Sequence, residues 1–255
     1  METPSSPQAW YEEWFDSPHY HQLYGHRSDA EAQAFVQAMH KQWGWQHCDV
    51  LDLACGKGRH ARAAAQLGHN VVGLDLSHNS IAAAKERAGG LPNLTFVEGD
   101  MRSFDLGQTF DGVLNLFTSF GYFDRADDHT AVLGSIARHL RPGGFLVLDF
   151  LDVTFTKKHL SPSDTITREG VEYAITRELK PGTNGGWDTF VKRIRHRDSE
   201  DVREHVEKVA ALTNPQLSGL IQSAGFDILE RFGNYALDPW AEGQTPRLII
   251  HAKKK

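Results

Sequence analysis

One stretch constrains this chain more than any other. Between Asp49 and Asp149, short apolar runs alternate with helical patterns, punctuated by glycines and helix-capping residues. Val50–Leu53, Val71–Leu74, Leu94–Val97, Asp111–Leu116 and Phe145–Asp149 read as strands; Arg59–Leu67, Ser77–Ala88 and Asp127–Leu140 read as helices. Apolar strands alternating with helices form a parallel sheet covered on both faces. A doubly wound sheet of this kind binds ligands beyond the carboxyl ends of its strands.

The pattern changes on either side. Residues 1–47 are rich in aromatics (Trp10, Tyr11, Trp14, Phe15) and include a helix over Asp29–Trp43, so they read as a helical lid. From about Thr165 to Leu212 the apolar period drops to two, which predicts three antiparallel strands inserted between Asp152 and Leu212. A helix from Asn214, capped by that residue with Pro215 at its first position, and strands over Phe226–Phe232 and Arg247–Ala252 complete the α/β domain. The organisation expected is thus a lid (1–47), a doubly wound Rossmann-like domain with an antiparallel last strand (48–151 and 213–255), and an inserted antiparallel β subdomain (152–212) that shapes substrate access or a dimer contact.

The strand-to-helix turn is Asp52-Leu53-Ala54-Cys55-Gly56-Lys57-Gly58-Arg59. Glycine there lets the backbone turn tightly and lets a ligand approach without a Cβ in the way. Alone, the turn fits a loose dinucleotide fingerprint or a plain tight turn. Three further features point to a nucleoside. Asp75, followed by Leu76, ends the second strand, where a carboxylate can accept from both ribose hydroxyls or simply favour the following helix N-terminus. Asp100-Met101 follows the third strand, where Asp100 can accept from an exocyclic amine and Met101 can pack on the ring. Leu116-Phe117-Thr118-Ser119-Phe120-Gly121-Tyr122-Phe123 follows the fourth strand and can roof a pocket or fill the core.

In combination these residues resemble the class I S-adenosylmethionine (SAM)-dependent methyltransferases, from about Val50 to the C-terminus. The resemblance implies SAM as cofactor, held by Asp52, Ala54, Cys55, Gly56, Gly58, Asp75, Leu76, Asp100, Met101, Leu116 and Phe117. Arg141-Pro142-Gly143-Gly144 and Ala224-Gly225-Phe226 match common family turns. Ala54 departs from the pattern, since many members carry glycine there; alanine is tolerated provided its φ stays negative. The Ser119–Phe123 loop and the β insertion are similar to glycine and aminosugar N-methylating members. That likeness implies that the N-terminal segment closes over the cofactor, with Tyr20, Tyr24 and Arg27 as candidates for the methionine carboxylate; the alternative is that both tyrosines anchor a helix.

Methyl transfer implied by this resemblance is an in-line displacement to a small-molecule acceptor at N or O, and needs neither metal nor covalent intermediate. Positioning alone contributes roughly 7–11 kcal/mol in favourable cases. A hydroxyl acceptor needs a positioned base, and Tyr122 and His21 are the candidates. Among the 14 histidines only His19 and His21 form a close pair, without the fuller donor set of a structural metal site. Three rivals remain: an NAD-dependent oxidoreductase, the same fold acting on RNA or another macromolecule, and a SAM-binding domain without turnover. Against nucleic acid stand the net charge of −6 and the acids that follow the basic run Lys192–Arg197. Two cysteines, no leader-like N-terminus and no long apolar run predict a cytoplasmic protein without membrane contact, monomeric or homodimeric.

Overall fold

The computed structural model describes residues 9–25, 28–183, 186–198 and 201–255. Its centre is a seven-stranded sheet. Strands β1 (Asp49–Leu53), β2 (Asn70–Asp75), β3 (Leu94–Glu98), β4 (Phe110–Asn115) and β5 (Leu140–Leu151) are parallel. Further along the chain, β11 (Arg247–Lys254) pairs antiparallel with β5, and β10 (Phe226–Phe232) antiparallel with β11. The spatial order is β10-β11-β5-β4-β1-β2-β3. The chain lays β1 to β3 toward one edge and then crosses back to β4 on the other side of β1. The gap above β1 and β4 is therefore the switch point, where such sheets bind ligands.

Helices α3 (Asp29–Trp43), α4 (Arg59–Gln66), α5 (His78–Arg87), α6 (Ala126–His139) and α8 (Asn214–Ser223) belong to this layer. Local chemistry fixes their ends. Ser28 accepts from Glu31 N at 3.1 Å and Ser77 from Ser80 N at 3.0 Å, while Gly44 closes α3 in the left-handed region. In α4 the buried Ala61, Ala63, Ala64 and Ala65 let the helix lie close to the sheet. The α8 cap is Thr213 rather than Asn214: Thr213 N donates to Gln216 Oε1 at 2.8 Å, completing a capping box that puts Pro215 one position deeper. Two apolar clusters form the core, one of them including Leu53, Phe120, Phe150 and Ile250 and the other Val50, Leu114, Val147 and Ile249.

The insertion has four strands, not three: β6 (Ser163–Arg168), β7 (Val171–Lys180), β8 (Thr189–Asp198) and β9 (Asp201–Ala210), in that order. Polar β6 is an edge strand whose apolar alternation is too thin to read; Ile166 alone is apolar. A short helix, α7 (Val153–His159), precedes it and is capped by Asp152, whose Oδ1 accepts from Phe155 N at 2.7 Å. The N-terminal segment adds α1 (Trp10–Asp16) and α2 (Pro18–Leu23). Their apolar side packs on the second sheet through Trp14, Leu23, Tyr173, Ile175 and Ile194. On the outer face of that sheet, Arg193 and Arg195 both pair with Glu204.

Candidate active site

The turn after β1 opens onto the switch point. Ala54 has φ +60°, Gly56 +54° and Gly58 +71°. The condition set on Ala54 therefore fails: its backbone is left-handed, at roughly 1–2 kcal/mol of steric cost for an L-residue. The two glycines do different work. A Cβ built on Gly58 would lie 2.5 Å from Phe96 Cε1, so Gly58 is required by the buried ring wedged beneath the turn and not by a ligand. A Cβ on Gly56 would meet nothing within 4 Å, and Gly56 borders a large cavity.

That cavity has a volume of about 920 Å³. Its floor is Asp52, Ala54, Cys55 and Gly56. Beside it stand Leu116–Ser119 and Tyr122 after β4, with Arg247. Its roof is the α1–α2 segment (Phe15, Asp16, Tyr20, His21, Tyr24), and its outer end is Glu169, Glu207 and Val209 of the insertion. The lid, the glycine turn and the insertion thus meet around one space.

Asp75 does not line it. Its Oδ2 accepts from Gly56 N at 2.7 Å and its Oδ1 from Ser77 N at 2.9 Å, so the carboxylate props the turn from behind. Burial raises its carboxyl above the ordinary range, against the pull of those two N–H groups. Leu76, next along, is 37% exposed, an unusual state for leucine at a sheet end. Asp100 and Met101 also lie outside the cavity. Arg102 folds back on Asp100, with Nε 3.0 Å and Nη2 2.6 Å from Oδ2, while Met101 packs on the main core. The Asp100 carboxylate is therefore neutralised by a neighbour two residues on, which the sequence reading missed.

Tyr20 and Tyr24 border the cavity and also tie the lid down. Tyr24 Oη donates to Glu207 at 2.7 Å and also meets Lys192 Nζ; Trp14 Nε1 donates to the same carboxylate at 2.7 Å. Tyr20 packs edge-on against Trp14 and Phe15. Glu207 thus fastens the lid to β9. Arg27 lies outside the described residues. His19 and His21 part company: the His19 ring lies 3.7 Å from His196, itself 3.2 Å (Nε2–Nε2) from His205, whereas His21 faces the cavity. Burial, with Lys57 nearby, lowers His21 to about 4, so its imidazole is neutral. Tyr122 lines the wall, its ring 4.9 Å from Phe15.

Several polar atoms are buried with no hydrogen-bond partner among the described residues: Asp52 Oδ2, Asn115 Oδ1 and His21 Nε2. Burial, aided by the Asp75 charge, pushes Asp52 up to about 7. Others lie elsewhere, at Trp10, His129 and Arg168, but Asp52 and His21 border the cavity; buried polar groups are nearly always paired, so these two suit a polar ligand there. Among the described residues no group of three His, Cys, Asp or Glu is set to hold a metal ion.

The sequence reading passed over one constellation. Asp149, fully buried in β5, accepts from Arg247 Nε at 2.8 Å and from Phe117 N at 2.8 Å. Phe117 and Thr118 have φ +67° and +58°, which for bulky and β-branched residues is strained, at about 1–3 kcal/mol each. An acid at the carboxyl end of an apolar strand was a signal for Asp149. Nothing local marked Arg247, which arrives from the other end of an antiparallel strand.

Comparison with known proteins agrees with this geometry. A family model described as a methyltransferase domain matches residues 50–144. The cypemycin N-terminal methyltransferase of a Streptomyces species is 37% identical over 205 residues, 79% of this chain and 81% of that enzyme. The chain belongs to the SAM-dependent methyltransferases. A dTDP-3-amino-3,4,6-trideoxy-alpha-D-glucopyranose N,N-dimethyltransferase of Streptomyces venezuelae is 36% identical over 136 residues, 52% of this chain and 56% of that enzyme. The chain thus spans about half the length of the curated aminosugar relatives it matches (56% and 46% for two of them). A SAM-bound amino pentose methyltransferase of Micromonospora echinaspora, involved in calicheamicin biosynthesis, superposes with a TM-score of 0.65 at 25% identity, covering all of both chains.

Proposed function

We propose that this methyltransferase moves a methyl group from SAM to an amine nitrogen of a small molecule. The observation that carries the reading is the single cavity running from the glycine turn to the Leu116–Tyr122 wall and the Glu169–Glu207 end. At about 920 Å³ it lies at the upper end of the range for small-molecule sites, with room for a cofactor and an acceptor together. The relatives that act on amino groups, the aminosugar N,N-dimethyltransferases and the cypemycin N-terminal enzyme, point to nitrogen as the acceptor atom.

The orphaned oxygens fit the cofactor. Asp52 Oδ2 and Asn115 Oδ1 are acceptors that suit an α-ammonium group. Gly56 gives close backbone approach, Asp75 beneath it holds that turn in place, and exposed Leu76 offers apolar surface to a base. Asp100, already saturated by Arg102, is a weaker amine acceptor than the sequence suggested. When bound, SAM supplies an electrophilic methyl on a sulfonium. The protein's part is to exclude water and aim the acceptor. Phe15 and Tyr20 from the lid and Phe117 and Tyr122 from the loop after β4 give part of that otherwise mixed lining an aromatic surface. His21 borders the same space, but burial that lowers it to about 4 leaves it a weak base, so the proton that an amine loses passes to solvent.

We read residues 1–47 as a lid and 152–212 as the subdomain that closes the acceptor end. No helix among the described residues is long and apolar enough to cross a membrane. Both cysteines are free, which supports a reducing, cytoplasmic setting. The test is transfer of labelled methyl from SAM to a panel of amino sugars, amino acids and short peptides. Label on an amine supports the reading; label only on hydroxyl acceptors replaces nitrogen by oxygen; SAM binding with no transfer to any member sinks the small-amine reading.

A further inference from the structure

Arg247 opens β11 beside the end of β5, and the loop after β4 is tied to Asp149 and Arg247 through Phe117 and Thr118. Asp149 Oδ1 takes both Arg247 Nε (2.8 Å) and Nη2 (2.7 Å). Asp149 Oδ2 takes Phe117 N (2.8 Å), the Asp149 carbonyl takes Thr118 N (3.0 Å), and Arg247 Nη2 donates to Thr118 Oγ1 (2.8 Å). The two residues so gripped are the two consecutive non-glycine residues with left-handed φ, +67° and +58°. Left to itself this backbone would relax toward negative φ. Asp149 is completely buried and the Arg247 side chain is 17% exposed. Burial works against the arginine charge, but Asp149 outweighs it and holds Arg247 above its ordinary range.

A buried ion pair is weak as a source of stability, because desolvation offsets most of the attraction. It does fix geometry: the guanidinium fork sets direction as well as distance. What it fixes here is the wall of the cavity beside the glycine turn, since Phe117, Thr118 and Arg247 all border that space and Arg59 lies over the Phe117 ring. Strain held by surrounding structure is a recurrent feature of functional sites.

We propose that Asp149 and Arg247 are positioning residues, which clamp Phe117–Thr118 in left-handed backbone and so set the wall against which the acceptor is presented. The purpose given to the wall rests on the methyl-transfer reading; the clamp does not. Because the pair is electrically balanced, it brings no net charge to the cavity and acts through the loop.

The test uses the whole chain with Arg247→Met, Arg247→Lys and the double variant Arg247→Met with Thr118→Asn. Asparagine tolerates left-handed φ far better than threonine, so it relieves the strain that the clamp opposes. Hydrogen exchange is read over residues 116–119, and affinity for S-adenosylhomocysteine by calorimetry. Arg247→Met is expected to speed exchange there about tenfold or more, an opening the native clamp suppresses. Lysine is expected to recover part of the protection, and the added Thr118→Asn a further part. Because Phe117 and Arg247 border the cofactor's space, affinity for S-adenosylhomocysteine is expected to fall in Arg247→Met and to return in part with lysine or with the added Thr118→Asn. Should Arg247→Met fail to fold, the comparison of Arg247→Lys with and without Thr118→Asn carries the same test. Unchanged exchange at 116–119, or a rise spread evenly over the central sheet, overturns the clamp. With an acceptor amine in hand, kcat is expected to fall about a hundredfold, as misplacement by an ångström can cause. Absence of turnover in the native enzyme would count against the methyl-transfer reading and leave the exchange result standing.

Discussion

Replacing each turn glycine by alanine separates the two roles assigned to them. At Gly58 the new Cβ would press on the buried Phe96 ring, with Cε1 at 2.5 Å, and φ is +71°. Overpacking costs about 1–3 kcal/mol and left-handed alanine about 1–2, while the stiffer unfolded chain returns about 0.4–1. The net expectation for Gly58→Ala is about 2–4 kcal/mol of lost stability, or a fall in Tm of about 5–15 °C for a chain of this size. At Gly56 no atom lies within 4 Å of the added Cβ, so only the backbone term remains, about 1 kcal/mol after the same offset. That methyl group, however, points into the space where a ligand must approach. Gly56→Ala should therefore melt within about 4 °C of the native protein yet lose S-adenosylhomocysteine affinity by more than about tenfold. Thermal melts and calorimetric titrations of both variants decide the matter. Native affinity in Gly56→Ala together with a native Tm in Gly58→Ala would refute the division.

Other perturbations follow from the same site. Ala54→Gly removes left-handed strain but loosens the unfolded chain, so Tm should hold or rise by up to about 4 °C; a clear fall would show that φ +60° at Ala54 is not strained. Asp75→Ala should weaken S-adenosylhomocysteine binding and also lower Tm modestly, because Gly56 N and Ser77 N lose their acceptor; near-native affinity by calorimetry would remove Asp75 from the site. The Asp52 carboxyl stands near 7 in the free protein, so pairing with an ammonium should lower it and expel a proton. Calorimetry at pH 6 in buffers of different ionisation enthalpy should then show proton release that fades above pH 8, and equal heats in all buffers would contradict the pairing. His21 is lowered to about 4 against an unfolded value near 6.5. Its neutral form therefore contributes stability that is complete above pH 6.5 and lost as pH falls toward 4. Native protein and His21→Gln should accordingly differ in Tm by an amount that changes between pH 6.5 and 4, and a pH-independent difference would show His21 to be solvated.

Most of the fold was legible because each level of the sequence agreed with the next. Apolar runs at β1, β2, β4 and β5, separated by capped helices, specify a covered parallel sheet with little latitude. The insertion was legible in type but not in count, since β6 is polar on an exposed edge and carries almost no alternation. At the site, local sequence was enough to name the glycine turn and Leu116–Phe117, which the structure brings to the cavity. The partners of Asp100 and Tyr24 were not legible, because they fold back from two positions away or arrive from β9: Arg102 and Glu207. Ala54 shows the limit from the other side, since residue type argued for ordinary φ and the turn imposed a left-handed one. Arg247 could be found only in three dimensions, because antiparallel pairing of β11 with β5 brings it to Asp149 from 98 residues away.

The central claim is that the cavity beside Gly56 holds SAM. Calorimetric titration of the native chain with S-adenosylhomocysteine and, separately, with NAD tests it most directly. The account predicts saturable one-to-one binding of S-adenosylhomocysteine, lost in Gly56→Ala, and no heat with NAD. Saturable NAD binding without S-adenosylhomocysteine binding would contradict it.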